Sequence, residues 1–332
     1  MNPLSFGRRV QYALESAVFF LFIGFFRIFG VDTASAIGGF IGREILYRLP
    51  LSRRARSNIA LAFPDKSAEE VDAILRGMWD NLGRTAGEYG HLSAFRIAGK
   101  DARITGNFDR IEKVLAAQNG KGILIISGHF ANWELMPFAA AQYGIEGGVV
   151  YRPVNNPTVD RWMVNARIIN GLKDQIAKGP QGTRRIFTLL RSGKAVLLLA
   201  DQKTNEGLPV PFFGRDAMTT PAPATLALKL GATILPVRNE RIGGAHFRLH
   251  VHDPIDFTPT GDQDEDVYRL TQKINDALEA MVRANPSQWL WLHRRWPKPG
   301  DVPRSRRGRE ALARQSLSGA GAAVDRDGSS RT

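Results

Sequence analysis

Residues 122–134 read Gly122-Ile-Leu-Ile-Ile-Ser127-Gly-His129-Phe-Ala-Asn-Trp-Glu134. The first six of them form a short apolar run rich in isoleucine, which predicts a strand that is buried on both faces. The residues that follow, 131–143, favour a helix that ends at Gly144. A doubly buried strand that leads directly into a helix is typical of an α/β fold with a mainly parallel sheet.

Strands and helices continue to alternate along the rest of the chain. Further strands are predicted at 148–151, 195–200, 233–237 and 246–252. Further helices are predicted at 67–82, 158–170, 183–191, 221–230 and 267–281. Polar and apolar residues alternate in 246–252, which indicates an edge strand or a half-exposed strand. Residues 201–218 show no regular pattern, which is typical of a functional loop.

The ends of the predicted strands are where a functional site is expected, because parallel sheets bind ligands beyond their carboxyl ends. His129 follows the first of these ends, and Glu134 comes five positions later. An imidazole can take a proton from a hydroxyl near neutral pH, and a carboxylate on its other nitrogen would fix its tautomer. On spacing alone, the simpler explanation is an ordinary turn histidine and a glutamate favoured at a helix start.

Charged and aromatic residues follow the other strand ends. Arg152 follows the second predicted strand, Asp201 follows the third, and Arg167 lies on a helix between them. Near the C-terminus, residues 288–296 interleave aromatic rings with cations, Arg294 among them. Two interpretations of this segment are open: a strand at the edge of the core, and an interfacial or phosphate-contacting segment.

Several classes of site are excluded because their motifs are missing. The chain has no cysteine, which rules out a thiol acyl-enzyme and cysteine-ligated metals. It also lacks a Gly-x-Ser-x-Gly elbow, a P-loop, a dinucleotide fingerprint and a His-Glu-x-x-His pair. His250 and His252 share one strand face without a third ligand nearby, and we interpret them as surface residues. We therefore expect no metal and no cofactor.

The composition points to an acidic partner. The 332 residues include 45 Lys and Arg against 32 Asp and Glu, which gives a net charge of +13. Such an excess suits nucleic acid, an anionic membrane surface or a phosphorylated substrate. The two ends are both basic: 1–63 has eight arginines and three acidic residues, and 301–332 has seven and four.

The N-terminal end is also strongly apolar. Residues 17–26 form an uninterrupted apolar run with five phenylalanines, preceded by Arg8 and Arg9. Three interpretations compete: a signal peptide cleaved near 34–36, a membrane anchor, and a buried core helix. We favour the anchor, because the phenylalanines would be costly to leave in water and the arginines suit anionic lipid. Arginines ahead of the run predict a cytoplasmic N-terminus.

Five motifs, in order along the chain, resemble those of one known family. They are Gly128-His-Phe-Ala-Asn-Trp-Glu134, Tyr151-Arg-Pro153 with Asn156-Pro157, Ala200-Asp-Gln202, Phe212-Phe-Gly214 and Trp289-Leu-Trp-Leu-His-Arg-Arg-Trp296. Residues 58–64 (Asn-Ile-Ala-Leu-Ala-Phe-Pro) also fit the N-terminal region of that family. From about residue 8 to 298, the chain thus resembles the bacterial lipid A late acyltransferases, the lauroyl and myristoyl transferases of lipopolysaccharide synthesis.

The resemblance implies a glycerolipid-acyltransferase-like α/β fold, a mainly parallel sheet flanked by helices, with an N-terminal membrane-anchoring helix. With the apolar and charge patterns, it divides the chain into three parts. Residues 1–45 are the hydrophobic membrane anchor, 46–299 the acyltransferase domain, and 300–332 a disordered basic tail. The enzyme is expected on the cytoplasmic face of the bacterial inner membrane.

The resemblance also implies a reaction and its partners. A fatty acyl chain, taken to be lauroyl, moves from acyl carrier protein to a hydroxyl on a hydroxyacyl chain of the Kdo-lipid IVA precursor. This acceptor is an anionic phosphorylated glycolipid. Carried over by position, His129 is the general base and Glu134 its partner. The residues grouped as substrate-binding are Arg152, Arg167, Asp201 and Arg294.

The chemistry of such a transfer needs hydrogen-bond donors as well as a base. The attacked thioester carbonyl develops an oxyanion, which preorganised donors stabilise. Backbone amides at the start of the helix 131–143, or Arg167, are the candidates.

Two other functions remain open at this stage. The first is the same chemistry on another lipid, such as a phosphatidylinositol mannoside, because that acyltransferase shares the order of motifs. The second is a nucleic-acid-binding protein, which the charge alone suggests. The basic residues of this chain flank a phenylalanine-rich run, so we expect no nucleic acid as a partner.

Overall fold

The computed structural model describes residues 5–296, and the tail predicted at 300–332 lies outside the described residues. The helices are α1 (Phe6–Arg27), α2 (Val31–Glu44), α3 (Leu51–Ala62), α4 (Ala68–Glu88), α5 (Asp109–Ala117), α6 (Leu135–Gln142), α7 (Pro157–Asn170), α8 (Pro180–Arg191), α9 (Ala222–Leu230) and α10 (Gln263–Ala284). The strands are β1 (Ile104–Gly106), β2 (Ile123–Ser127), β3 (Gly147–Tyr151), β4 (Asp174–Ala177), β5 (Ala195–Leu199), β6 (Leu208–Phe212), β7 (Arg215–Thr219), β8 (Thr233–Gly243) and β9 (His246–Val251).

Seven of the strands form one sheet in the order β1-β9-β8-β2-β5-β3-β4. Neighbouring strands run parallel, except that β8 and β9 are antiparallel. The strand predicted at 122–127 is β2, and it lies between β8 and β5. The predicted α/β fold with a mainly parallel sheet flanked by helices is confirmed, and the carboxyl ends of β2, β5 and β3 lie side by side.

The sheet packs against helices on both faces, as its apolar strands predict. In β2, Leu124 and Ile126 join the core of one face, and Ile123 and Ile125 join the core of the other. Successive side chains of a strand point to opposite faces, so a strand with no polar alternation must be buried on both. Helices α3, α4, α8, α9 and α10 contribute to the first core, and α5 and α6 contribute to the second.

The stretch 201–218, predicted to be an irregular loop, contains a β-hairpin. Strands β6 and β7 pair antiparallel and are joined by Phe213 and Gly214. Both turn residues have positive φ, 54° and 68°, as a two-residue hairpin turn of type I′ requires. The prediction was wrong because Pro209 and Pro211 break the alternating pattern that marks a strand.

Strand β9 is half-exposed, as predicted, but it is not an edge strand. Its other side pairs with β1, a strand of only three residues. Such a short strand carries too little periodicity to be recognised in a sequence. The edge strand on this side of the sheet is therefore β1.

Helix α2, which falls within the predicted anchor segment 1–45, packs closely on α4. A Cβ atom built on Gly38 would lie 2.2 Å from the carbonyl oxygen of Gly83, and one on Gly42 would lie 2.0 Å from that of Trp79. Only glycine allows two backbones to approach this closely. The small residues that follow the apolar run therefore serve helix packing.

Helix α1 leaves most of its apolar surface uncovered. Ile23 and Phe26 are buried, and Phe19 packs edge-on against Trp162 of α7, with 5.2 Å between ring centroids. Leu21, by contrast, is 74% exposed. At about 1.5 Å per residue and 22 residues, α1 is about 33 Å long, which matches the roughly 30 Å hydrocarbon core of a bilayer. By length and composition, α1 is able to cross a membrane, and the division at residue 45 stays a prediction.

Candidate active site

A cavity of about 570 Å³ opens beyond the carboxyl ends of β2, β5 and β3. Its volume lies within the range of about 300–1,000 Å³ that is typical of small-molecule sites. The polar residues that line it include His129, Glu134, Arg152, Arg167, Gln202 and His293. The structure therefore brings four of the residues predicted from the sequence into one cavity, at the edge of the sheet where ligands are expected.

His129 and Asp201 form a hydrogen-bonded pair at the ends of the neighbouring strands β2 and β5. Nδ1 of His129 lies 2.8 Å from Oδ1 of Asp201, and the backbone N–H of His129 donates to Oδ2 at 2.7 Å. Trp289 Nε1 donates to the same Oδ2 at 2.8 Å. A carboxylate on Nδ1 keeps the proton of a neutral imidazole there and leaves Nε2 as the accepting nitrogen.

Asp201 is only 2% exposed, yet its surroundings favour the carboxylate. Burial by itself would raise the pKa of Asp201. The charge of protonated His129 and the hydrogen bonds from His129 and Trp289 outweigh burial, and they hold the pKa of this carboxyl well below its usual range. Asp201 was predicted to bind substrate. In the structure it lies behind the imidazole, and its carboxylate is hydrogen-bonded to His129 and Trp289.

Glu134 does not contact His129, so the expected pairing of these two residues is wrong. Its carboxylate instead accepts two hydrogen bonds from Arg167, from Nε at 2.7 Å and from Nη2 at 2.6 Å. Burial alone would lower the pKa of Arg167, but the bonds to Glu134 raise it, which keeps the guanidinium charged. The two residues form a nearly buried bidentate ion pair on the wall of the cavity.

The course of the chain after β2 explains why the expected pairing fails. Ala131 adopts a positive φ of 47°, so the backbone turns sharply and α6 begins only at Leu135, four residues later than predicted. Asn132 is anchored in the interior by a bond from Nδ2 to Glu88, and its Oδ1 accepts from the backbone N–H of Glu134. This turn directs His129 toward β5 and Glu134 toward α7.

Three backbone amides of this turn are already used within the protein. The N–H of Phe130 donates to the carbonyl of Gly128, and that of Ala131 donates to Gln288. The N–H of Leu135 donates to Asn132. The other predicted kind of oxyanion donor, the guanidinium of Arg167, has an Nη1 that Glu134 does not use.

The predicted phosphate-binding cations differ in their positions. Arg152 is exposed and lines the cavity, with no carboxylate partner among residues 5–296. Arg294 is exposed but is not among the residues that line the cavity. Its neighbour Arg295 is fully buried and donates to Thr219 and Asn275, and burial lowers its pKa to about 10. Of these three arginines, only Arg152 lines the cavity, and its charge has no carboxylate partner among the described residues.

Sequence reasoning missed three residues that surround His129. Trp289 donates a hydrogen bond to Asp201, as described above. Gln202 and His293 lie beside the imidazole and contact each other. The segment 288–296 was noticed for its aromatic rings and cations, but its histidine was not singled out. The usable signal was position: Gln202 also follows the end of β5, next to Asp201.

The matching family model is the one for bacterial lipid A biosynthesis acyltransferases, and it covers residues 7–298. The chain belongs to this family. It is therefore an enzyme that transfers acyl groups, and the resemblance noted in the sequence from about residue 8 to 298 is confirmed over that whole range.

Curated relatives of the chain include enzymes that act on two kinds of lipid. A lipid A biosynthesis palmitoleoyltransferase of Escherichia coli (strain K12) is 27% identical over 277 residues, which cover 77% of this chain and 84% of the relative. A lipid A biosynthesis lauroyltransferase of the same strain is 28% identical over 265 residues, covering 76% and 82%. A phosphatidylinositol mannoside acyltransferase of Mycobacterium tuberculosis (strain CDC 1551 / Oshkosh) is 25% identical over 260 residues, covering 76% and 78%.

The cavity of this acyltransferase contains the groups that direct transfer to a hydroxyl requires. Such a transfer needs a base for the hydroxyl proton and donors for the oxyanion that forms on the attacked carbonyl. His129 offers an accepting nitrogen held by a carboxylate, and Arg167 offers a charged donor. The chain has no cysteine, so a covalent thioester on the enzyme is excluded.

Proposed function

We propose that the enzyme transfers a fatty acyl chain from acyl carrier protein to the hydroxyl of a hydroxyacyl chain on the Kdo-lipid IVA precursor. Lauroyl is the acyl group that we propose first, and the match to a lauroyltransferase supports this choice. The observation that best supports the chemistry is the contact between Nδ1 of His129 and the buried carboxylate of Asp201.

In the proposed reaction, His129 is the general base. As the acceptor hydroxyl attacks the thioester carbonyl, its proton moves to Nε2 of His129, and Asp201 stabilises the imidazolium that forms. The tetrahedral intermediate then collapses, the carbon–sulfur bond breaks, and the thiolate leaves. The imidazolium returns its proton to the sulfur, so the products are the new ester and the free thiol of the carrier.

We assign Arg167 and Glu134 to the stabilisation of the intermediate. The charge that develops on the carbonyl oxygen would lie beside the guanidinium of Arg167, which is only 12% exposed and is therefore an effective charged donor. Glu134 holds Arg167 by two hydrogen bonds that use Nε and Nη2 and leave Nη1 for the oxyanion. Glu134 is thus proposed to act on the reaction through Arg167 and not through His129.

Arg152 is proposed to bind a phosphate of the glycolipid. It extends into the cavity from the end of β3, and arginine matches the geometry of phosphate oxygens. Arg294 remains a candidate for a second contact outside the cavity. The acidic glycolipid and the net charge of +13 suit each other, since opposite charges favour encounter.

The anchor helix is tied to the rim of this cavity, which supports catalysis at the surface of the inner membrane. Asn156 caps the start of α7, just beyond β3. Its Nδ2 donates to the carbonyl of Tyr12 at 2.8 Å and to Glu15 at 3.2 Å, both on α1. With α1 in the bilayer, a lipid acceptor would reach the cavity from the membrane, while the carrier protein would arrive from the cytoplasm.

A second acceptor is kept as the alternative, a phosphatidylinositol mannoside. The match to a phosphatidylinositol mannoside acyltransferase favours it, and the His129–Asp201 chemistry would be the same. Nucleic-acid binding, suggested by charge alone, has no further observation in its favour.

The test of this proposal is transfer by the purified full-length enzyme, with lauroyl, myristoyl and palmitoleoyl carrier protein offered separately. Kdo-lipid IVA and a phosphatidylinositol mannoside are the two acceptors, and mass spectrometry detects one added acyl chain. We expect acylation of Kdo-lipid IVA, fastest from the lauroyl donor. Acylation of the mannoside alone would replace the proposed acceptor, and no transfer to either would overturn the proposed function.

A further inference from the structure

Gln202 bridges two imidazoles in the cavity, a contact that general-base catalysis by His129 alone does not require. Its side-chain nitrogen lies 3.1 Å from Nε2 of His129 and 2.9 Å from Nε2 of His293. The two imidazole rings lie near each other, with 5.4 Å between their centroids. All three side chains line the cavity, so the bridge lies where the acceptor hydroxyl must approach.

The protons of this cluster can be assigned by counting donors and acceptors. A neutral His129 has its single ring proton on Nδ1, toward Asp201, so its Nε2 can only accept. The NH₂ group of Gln202 has two hydrogens, one for each imidazole. Nε2 of His293 must then accept as well, which places the ring proton of His293 on Nδ1. The opposite orientation of the amide would set its oxygen against a nitrogen of His129 that carries no proton.

The surroundings of His293 favour this neutral, accepting form. Burial lowers the pKa of His293, and the positive charge of Arg54 lowers it further, as does His129 whenever its own ring is protonated, with Asp201 opposing them. The backbone of His293 is also held in place, because its carbonyl accepts a hydrogen bond of 2.8 Å from Asn58 of α3. His293 is therefore a fixed acceptor on the far side of Gln202.

We propose that Gln202 and His293 are positioning residues for the proton transfer to His129, an inference that rests on the proposed function. His293 fixes one hydrogen of the Gln202 amide, so that the other hydrogen points at the lone pair of Nε2 in His129. The amide keeps the ring of His129 in the orientation that receives a proton. When the acceptor hydroxyl binds, it takes the place of the amide at Nε2, while the amide keeps its bond to His293.

This arrangement makes His293 act only through Gln202, which a double-mutant cycle can detect. The variants are Gln202→Ala, His293→Ala, the two combined, and His293→Gln, whose side-chain oxygen replaces the accepting nitrogen. Each alanine variant should lower kcat by about 10- to 100-fold, less than the roughly 10²- to 10⁴-fold that a general base itself contributes, with KM changed less than about 3-fold. The double variant should be no slower than Gln202→Ala, and His293→Gln should recover most of the lost rate.

The tautomers give a second readout that a merely structural role would not change. Nitrogen NMR of the full-length enzyme labelled in histidine distinguishes Nδ1–H from Nε2–H. Signals are assigned by their loss in His129→Ala and His293→Ala. We expect Nδ1–H on both rings in the wild type. The side chain of Gln202→Glu has the same shape, but it accepts where the amide donates. This variant should therefore place a proton on Nε2 of one of the two imidazoles that the amide faces, and it should lower kcat.

The outcomes separate this inference from the proposed function. If the wild-type enzyme transfers no acyl group, the proposed function fails. If the wild type is active and His129→Ala is not, this inference alone fails in either of two cases. One is that the losses of the two alanine variants multiply in the double variant. The other is that His293 carries its proton on Nε2 in the wild type. Should His293→Ala not fold, His293→Gln and the NMR spectrum of the wild type still decide.

Discussion

Oδ1 of Asp201 lies 2.8 Å from Nδ1 of His129, although 72 positions separate the two residues in the sequence. They meet because β2 and β5 are neighbours in the sheet and run parallel, so that their carboxyl ends coincide. Asp201 is therefore the carboxylate that orients the imidazole of His129, a role that Glu134, close in sequence, does not have. It is also the basis of the first two predictions.

Asp201→Asn is expected to inactivate the enzyme with little change in its fold. The amide has a similar shape, but it no longer stabilises an imidazolium and no longer favours a proton on Nδ1 of His129. We predict a fall in kcat of about 10²- to 10⁴-fold, the scale seen when such a carboxylate is replaced. Steady-state transfer assays measure it, and Asp174→Asn on the exposed pair with Arg185 is the matched control. Equal rates for the two variants would remove Asp201 from the mechanism.

The contribution of Asp201 to stability is expected to depend on pH. Its pKa in the folded enzyme lies well below the ordinary value, so folding favours the carboxylate. The contribution is therefore complete above about pH 4, the pKa of an unperturbed aspartate, and is lost as the pH falls from there toward the lowered value. Urea unfolding of the wild type and of Asp201→Asn should show a larger difference in unfolding free energy at pH 6 than at pH 3. If the difference in unfolding free energy were larger at pH 3 than at pH 6, the predicted direction of the pH dependence would be contradicted.

Removing one partner of the Glu134–Arg167 pair is expected to destabilise the enzyme and to slow it. The side chains are only 9% and 12% exposed, so Glu134→Ala leaves a buried charge without a partner. Such a loss costs about 3–5 kcal/mol of unfolding free energy. Asp174→Ala, in a pair whose side chains are 36% and 49% exposed, should cost less than about 1 kcal/mol. Chemical unfolding compares the two, and similar losses would mean that the cavity wall is not buried as described.

The sequence was sufficient to predict the strands of the sheet centre and the residues at their ends, because a doubly buried strand has a clear composition. It could not predict which strand ends are neighbours, since strand order depends on long-range pairing. For this reason His129 was paired with Glu134, close in sequence, and not with Asp201, close in space. The bend at Ala131 was equally hidden, because an alanine gives no warning of a positive φ.

The apolar face of α1 is expected to attach the enzyme to lipid. Leu21 is 74% exposed, and Leu21→Asp should weaken membrane insertion by about 3 kcal/mol, on the order of 100-fold in partition. Co-sedimentation of the full-length enzyme with phosphatidylglycerol vesicles measures this. Ile242→Asp, at an exposed apolar residue of β8, is the control and should bind as the wild type does. Unchanged binding of Leu21→Asp would show that α1 is not the anchor.

The central claim, that His129 takes the proton of the acceptor hydroxyl, is tested most directly by single-turnover transfer with His129→Ala. The acyl carrier protein and the glycolipid acceptor are those with which the wild type is most active, and thermal unfolding confirms that the variant is folded. Loss of a general base predicts a rate at least about 100-fold below that of the wild type. A folded His129→Ala enzyme that transfers the acyl chain at the wild-type rate would contradict the account.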